Sequence, residues 1–122
     1  MAKSNTYKKD FGKRGEDIAC SFLADNGFDI LKKNYRFSRF GEIDLIAKKE
    51  SLIIFVEVKS RRTGHFGGAL YSINKRKQIT IKKVAQQFLV ANPDIYSKNY
   101  TNRFDLISIE DSRAVWHKDI FR

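Results

Sequence analysis

Two carboxylates and a lysine in the middle of the chain, Asp44, Glu57 and Lys59, have the types and spacing to act together on a phosphate group. They lie in two segments, residues 42–48 and 52–60, whose Ile, Val and Phe content predicts β-strands. The polar residues between these segments predict a turn. We therefore expect an antiparallel hairpin, whose register decides which side chains face each other.

One face of the predicted hairpin is apolar. In the simplest register, Ile43 lies opposite Val58 and Leu45 lies opposite Val56. Because strand side chains alternate between the two faces, these four side chains point to the same side. That side is predicted to belong to the core.

The other face of the hairpin carries the charged residues. Glu42 lies opposite Lys59 and is predicted to form an ordinary ion pair with it. Asp44 lies opposite Glu57, and opposed carboxylates with Cβ atoms about 4.5–5.5 Å apart repel unless a proton or a cation compensates them. Hard divalent cations such as Mg²⁺ take such oxygen ligands, together with water and substrate phosphate. The alternative is a set of solvated charges on the exposed side of an amphipathic hairpin.

The charge of the chain is strongly basic and unevenly distributed. The 122 residues include 24 Lys and Arg against 14 Asp and Glu, a formal net charge of +10, and residues 58–93 contain no acid. Such a segment is typical of a protein that binds a polyanion, and a surface tuned for solubility is the alternative. The residues predicted to bind a nucleic-acid backbone are Arg61, Arg62, Lys75, Arg76 and Lys77.

Composition excludes several classes of protein. The single Cys excludes a disulfide framework within one chain and favours a reducing, cytoplasmic compartment. The longest aliphatic or aromatic run, residues 52–56, is far shorter than the roughly 20 residues of a membrane helix, so we expect no membrane partner. The polar N-terminal residues lack the apolar segment of a secretory signal.

Apolar spacing predicts two helices and five strands in the order α-β-β-β-α-β-β. The helices cover residues 12–26 and 75–91, the second beginning after Asn74. The predicted strands cover residues 28–37, 42–48, 52–60, 103–110 and 114–118. We expect residues 1–122 to form a single α/β domain, a mixed sheet flanked by helices, in which residues 1–10 are a flexible basic N-terminus.

The order of several short motifs resembles a known family. Asp44, twelve intervening residues and then Glu57-Val58-Lys59 resemble the D…(D/E)XK signature of the restriction-endonuclease-like nucleases. A wider set of motifs resembles the YraN family, small bacterial proteins of uncharacterised biological role. These motifs are Gly12-Lys13-Arg14-Gly15-Glu16, Asn34-Tyr35-Arg36, Gly41-Glu42-Ile43-Asp44-Leu45-Ile46, Phe55-Val56-Glu57-Val58-Lys59 and Arg103-Phe104-Asp105. The resemblance implies a restriction-endonuclease-like fold.

The resemblance also implies roles for individual residues. Asp44 and Glu57 match the metal-binding carboxylates of these nucleases, and Lys59 matches the catalytic lysine. Glu16 matches a helical glutamate that supports the metal site, and the backbone carbonyl of Val58 is a third candidate metal ligand. The implied cofactor is Mg²⁺ or Mn²⁺.

Two further positions bear on the resemblance. Gln78 falls near a supporting glutamine on the helix after the signature, and we include it among the predicted nucleic-acid-binding residues. Ile43 stands where the name of the signature has Pro. We predict a metal-dependent nuclease that acts on nucleic acid, with DNA favoured and branched or structured DNA a candidate substrate. The alternatives are a non-catalytic nucleic-acid-binding protein with the same fold, and a structural partner in a larger complex. The sequence leaves a homodimer open.

Overall fold

A computed structural model of the chain describes residues 2–61, 73–97 and 99–122. The elements in chain order are helix α1 (Ala2–Asp25), strands β1 (Asp29–Phe37), β2 (Gly41–Lys49) and β3 (Leu52–Arg61), helices α2 (Lys75–Ala91) and α3 (Pro93–Ser97), and strands β4 (Thr101–Glu110) and β5 (Arg113–Phe121).

The five strands form one sheet in the order β1-β2-β3-β4-β5. β3 and β4 are parallel, and the other three neighbouring pairs are antiparallel. The parallel pair requires a crossover connection, and α2 lies in that connection. The predicted α/β fold, a mixed sheet flanked by helices, is confirmed and is consistent with the restriction-endonuclease-like type.

Most element boundaries agree with the predictions, and the largest difference is at α1. This helix begins at Ala2 rather than at residue 12, so it includes residues 2–10, which the sequence analysis assigned to a flexible terminus. Residues 2–11 contain neither Pro nor Gly, so no residue there interrupts a helix. The five-residue helix α3 was not predicted. No helix in the described ranges is long and apolar enough to span a membrane.

The two faces of the sheet are covered by different helices. On one face, buried Leu45, Val56 and Ile107 form a cluster with residues of α1. On the other face, Phe55 packs in a cluster with α2. The buried residues of α2 are the stripe that its sequence predicts: Ile81, Val84, Ala85, Phe88 and Leu89. Both faces of the hairpin are therefore covered, and the alternative of a solvent-exposed hairpin face is wrong.

The predicted hairpin register is confirmed from Leu45–Val56 to Lys49–Leu52. The backbone pairing of β2 with β3 starts at Leu45. Asp44, the residue before it, accepts a hydrogen bond at Oδ2 from the backbone N–H of Val58, 2.8 Å away. Ile43 belongs to the cluster beneath α2, so its predicted place on the face of Leu45 is wrong. The side chain of Asp44 thus takes the place of a backbone carbonyl as the partner of the Val58 N–H. This exchange interrupts the alternation of β2 side chains between the two faces of the sheet.

Candidate active site

Glu57 is a buried acid in the centre of the sheet. Its side chain lies on β3 and is 4% exposed. Oε2 lies 3.4 Å from Nζ of Lys77, whereas Oε1 is buried and has no hydrogen-bond partner within the described ranges. Burying a carboxylate oxygen without a partner costs several kcal/mol in general, so native structures rarely retain one without a reason.

Asp44 lies beside Glu57, at the point where β2 stops pairing with β3. Burial and the charge of Asp44 raise the pKa of Glu57 from 4.5 to about 7, against the opposing effect of Lys77 and Lys59. Burial likewise raises the pKa of Asp44, although the hydrogen bond from Val58 lowers it. The two carboxylates therefore interact unfavourably, as their predicted opposition on the hairpin implied.

Asp105, on β4, shows what a fully compensated buried acid looks like in the same sheet. It is 1% exposed, and both of its oxygens accept hydrogen bonds. Arg103 donates two of them, at 2.9 and 2.8 Å, and Trp116 Nε1 and the backbone N–H of Asp119 each donate one at 2.9 Å. Asp105 thus connects β4 to β5 and has a structural role. Glu57 differs from it because one of its oxygens lacks such partners.

Glu16 reaches the same region from α1. Gly15 allows the close approach of the helix, because a Cβ atom at this position would overlap the hydroxyl of Ser60 on β3. Oε1 of Glu16 accepts a hydrogen bond from Nδ2 of Asn34 at 3.2 Å. Burial raises the pKa of Glu16, the bond from Asn34 lowers it, and the charge of Asp44 raises it further. Glu16 is therefore within electrostatic range of the carboxylate pair.

Two lysines supply the positive charge of the site. Lys59 is half-buried on β3, and its charge lowers the pKa of both Asp44 and Glu57. Lys77 lies in the first turn of α2, where the side chain of Asn74 caps the helix by accepting a hydrogen bond from the N–H of Lys77 at 2.9 Å. This cap fixes the first turn of the helix that carries the ammonium group to Glu57.

Lys77 contacts a different group from the one that we predicted. We predicted that it would bind a nucleic-acid backbone, and the structure places it against Glu57. A signal for this position was present, because Lys77 lies four residues before Ile81 and therefore on the buried stripe of α2. The predicted ion pair between Glu42 and Lys59 is not observed. Instead, Oε2 of Glu42 lies 3.9 Å from Nη1 of Arg36.

The other predicted nucleic-acid-binding residues in the described ranges lie on α2 and at the end of β3. Lys75 and Arg76 are exposed at the start of α2. Gln78 donates a hydrogen bond to the carbonyl of Ile73 at 3.3 Å and borders a cavity beside β5. Arg61 is the last residue of β3, and Arg62 lies outside the described residues.

The donor atoms of the site suit a hard divalent cation. In the described part of the chain there is no cluster of three or more His, Cys, Asp or Glu side chains that could hold a metal ion. Mg²⁺ does not need one, because it is commonly held by one or two carboxylates and completes its coordination with water and substrate phosphate. Asp44 and Glu57 provide two carboxylates, and Oε1 of Glu57 is unbonded among the described groups. The pair therefore fits Mg²⁺ or Mn²⁺.

Comparison with known proteins gives a consistent result over most of the chain. Residues 15–109 match the family described as "Uncharacterised protein family UPF0102". A UPF0102 protein of Dictyoglomus turgidum is 46% identical over 101 residues, which cover 83% of this chain and 82% of the relative. A UPF0102 protein of Caldicellulosiruptor bescii is 44% identical with the same coverage, and one of Alkaliphilus oremlandii is 43% identical over 84% of this chain and 86% of the relative.

Proposed function

We propose that the chain, which belongs to the uncharacterised protein family UPF0102, is a divalent-metal-dependent nuclease that hydrolyses phosphodiester bonds in nucleic acid. The family membership confirms the resemblance to the YraN family. One observation carries the proposal: a buried carboxylate oxygen of Glu57 has no partner in the described structure and lies beside a second carboxylate, Asp44. The satisfied oxygens of Asp105 make this a specific feature of one site rather than a general property of the sheet.

Asp44 and Glu57 are the residues that would hold the metal. Asp44 is oriented by the N–H of Val58, and Glu57 is fixed by its burial in the sheet. When bound, Mg²⁺ or Mn²⁺ supplies a Lewis acid that activates water and neutralises charge on the reacting phosphate. Val58 remains the candidate for a third ligand through its backbone carbonyl.

Lys59 and Glu16 assist from two sides. The ammonium group of Lys59 lies near both carboxylates and is suited to bind a phosphate oxygen as negative charge increases there. Glu16 is held by Asn34 and is suited to accept a hydrogen bond from a water molecule next to Asp44. These roles assign charge stabilisation to Lys59 and water positioning to Glu16.

Lys77 is the positively charged group that contacts Glu57. Its ammonium group is 3.4 Å from Oε2, and its side chain is 38% exposed, so it can leave the carboxylate without crossing the core. If Asp44 and Glu57 held a divalent cation, the Lys77 side chain would turn from Glu57 toward solvent. Lys77 would then be available to a phosphate of a nucleic acid, for which we favour DNA in the cytoplasm.

A cleavage assay tests this function. Purified protein is incubated with labelled linear duplex, branched and single-stranded substrates in Mg²⁺, in Mn²⁺ and in chelator. We expect cleavage that requires the metal, and Lys59→Ala should abolish cleavage while preserving binding. Arg113→Ala, which removes an exposed cation at the start of the edge strand β5, is the control and should cleave normally. Binding without cleavage of any substrate in either metal would instead indicate the non-catalytic alternative.

A further inference from the structure

Two parts of the chain that are distant in sequence and contain no acid contact each other: the turn before β2 and helix α2. Residues 58–93 contain no acid, and residues 30–41 contain none either but carry Lys32, Lys33, Arg36 and Arg39. The turn between β1 and β2 packs against α2, so closely that a Cβ atom at Gly41 would overlap the side chain of Thr80. This contact brings the turn that carries Arg39 next to helix α2, which contains no acid.

An aromatic ring stands at this junction. Phe40 is 53% exposed. Its ring is stacked on that of Phe37, with the centroids 5.4 Å apart and an angle of 19° between the planes. Phe37 in turn packs against the core cluster beneath α2, so the exposed ring has rigid support.

A cation lies beside the exposed ring. Nζ of Lys83 lies 5.6 Å from the centre of the Phe40 ring, and Arg39 is its exposed neighbour in the chain. Proteins that bind single-stranded nucleic acid combine these two features, because bases stack on aromatic side chains while the backbone follows a positively charged groove. A purely apolar partner would have to bury the ammonium group of Lys83 beside the ring, which is costly unless that charge is paired.

Helix α2 runs past both the ring and the carboxylate site, where it contributes Lys83 and Lys77 respectively. Arg76, Thr80 and Lys83 lie on one face of α2, because they are spaced four and three residues apart. From Lys83 beside Phe40 back to Lys77 at Glu57, the helix rises about 9 Å. This is roughly the length of three stacked nucleotides in a strand, at about 3.4 Å each. Measured along the axis of α2 alone, Lys83 at the ring is thus about three nucleotides away from Lys77 at Glu57.

We propose that Phe40 is a stacking platform for an unpaired base, and that the substrates of this protein contain a single-stranded stretch. The inference rests on the proposed nuclease function for its biological meaning, but the platform itself can be tested without cleavage. Lys83 has a flexible four-carbon stem, so its ammonium group can move from the ring to the phosphate of the stacked nucleotide.

The test compares binding of two single strands, in chelator and by fluorescence anisotropy. One strand carries bases, and the other has the same phosphates with abasic sites in the central positions. A base stacked on an aromatic side chain contributes about 1–3 kcal/mol. The parent protein should therefore bind the strand with bases about 5-fold to 150-fold more tightly than the abasic strand. Equal binding of the two strands would overturn the proposal without any variant.

Substitutions assign the preference to this ring. Phe40→Leu should lose the preference for bases while its affinity for the abasic strand stays unchanged, and Phe40→Trp should retain the preference. Val90→Ala, a truncation of an exposed apolar residue at the far end of α2, is the matched control and should bind as the parent does. A Phe40→Leu variant that melts normally and keeps the full preference would refute the platform.

The two proposals fail in different ways. Binding that depends on bases and on Phe40, with no cleavage in Mg²⁺ or Mn²⁺, would overturn the nuclease and support the platform. Metal-dependent cleavage by a protein that binds both strands equally would support the nuclease and overturn the platform.

Discussion

Glu57→Gln is the substitution that tests the central physical argument most directly. Glutamine keeps the shape of glutamate but is neutral at every pH. Folding raises the pKa of Glu57 from its ordinary value of 4.5 to about 7, so between these values the folded protein binds more protons than the unfolded chain. The stability of the parent should therefore fall as pH rises through this window and level off above it.

The magnitude follows from the two pKa values. Each pKa unit corresponds to about 1.4 kcal/mol, so the full difference amounts to about 3 kcal/mol of unfolding free energy. Glu57 is 4% exposed, so solvent screening reduces this figure little. As pH rises from 4.5 to 8, the unfolding free energy of Glu57→Gln should increase by about 3 kcal/mol relative to that of the parent. The reason is that the variant never has to bury a charge beside Asp44.

Chemical denaturation measures this difference. Parent and variant are unfolded at a series of pH values in chelator, and the same series is repeated in saturating Mg²⁺. At pH 8 the metal should stabilise the parent by about 2.7 kcal/mol at a concentration 100 times the dissociation constant, because it binds only the folded state. Glu57→Gln should lose most of this response.

Glu50→Gln is the control, because Glu50 is exposed in the turn between β2 and β3. It should follow the parent at every pH and respond to Mg²⁺ equally. If Glu57→Gln also follows the parent in chelator, the carboxylate has no unfavourable interaction in the folded state. The argument from its unpartnered oxygen would then be wrong.

Three other predictions concern the fold and the charged surface. Asp105→Ala should cost about 3–5 kcal/mol of unfolding free energy, measured by denaturant, because it leaves Arg103 and Trp116 without their buried acceptor; a loss below 1 kcal/mol would contradict its structural role. Val56→Ala should cost about 1–3 kcal/mol in the same assay, because Val56 is fully buried, and an unchanged midpoint would contradict its place in the core. Replacing Lys75 and Arg76 together by Ala should lower the salt dependence of nucleic-acid binding by roughly two units for any sequence, and an unchanged slope would show that neither contacts phosphate.

The sequence predicted those parts of the structure that local spacing determines. The alternation of Leu45 and its neighbours gave the hairpin register, and the stripe through Ile81 gave the buried face of α2. Both patterns repeat over several residues, so each residue supports the assignment of the others. The twelve residues between Asp44 and Glu57 were enough to predict that the two acids would interact.

The parts that could not be predicted depend on single tertiary contacts. Ile43 leaves the face of Leu45 because the side chain of Asp44 takes the N–H of Val58, and no periodic pattern encodes such an exchange. The position of Phe40 beside α2 depends on how closely the helix approaches Gly41, and the sequence of the helix does not predict that distance. The structural role of Asp105 depends on donors that β5 brings to it.

The incomplete compensation of Glu57 is itself the strongest argument for a site that exchanges cations. A network like that around Asp105 would stabilise the fold more, but it would occupy every lone pair and leave none for a metal. A lysine that was fully buried against Glu57 would be too costly to move, since breaking a buried ion pair leaves an uncompensated charge. Lys77 instead contacts one oxygen at 3.4 Å from a partly exposed position, and the second oxygen stays unbonded within the described structure. This arrangement holds the carboxylate in place and leaves the lysine replaceable, as the proposed metal-dependent function requires.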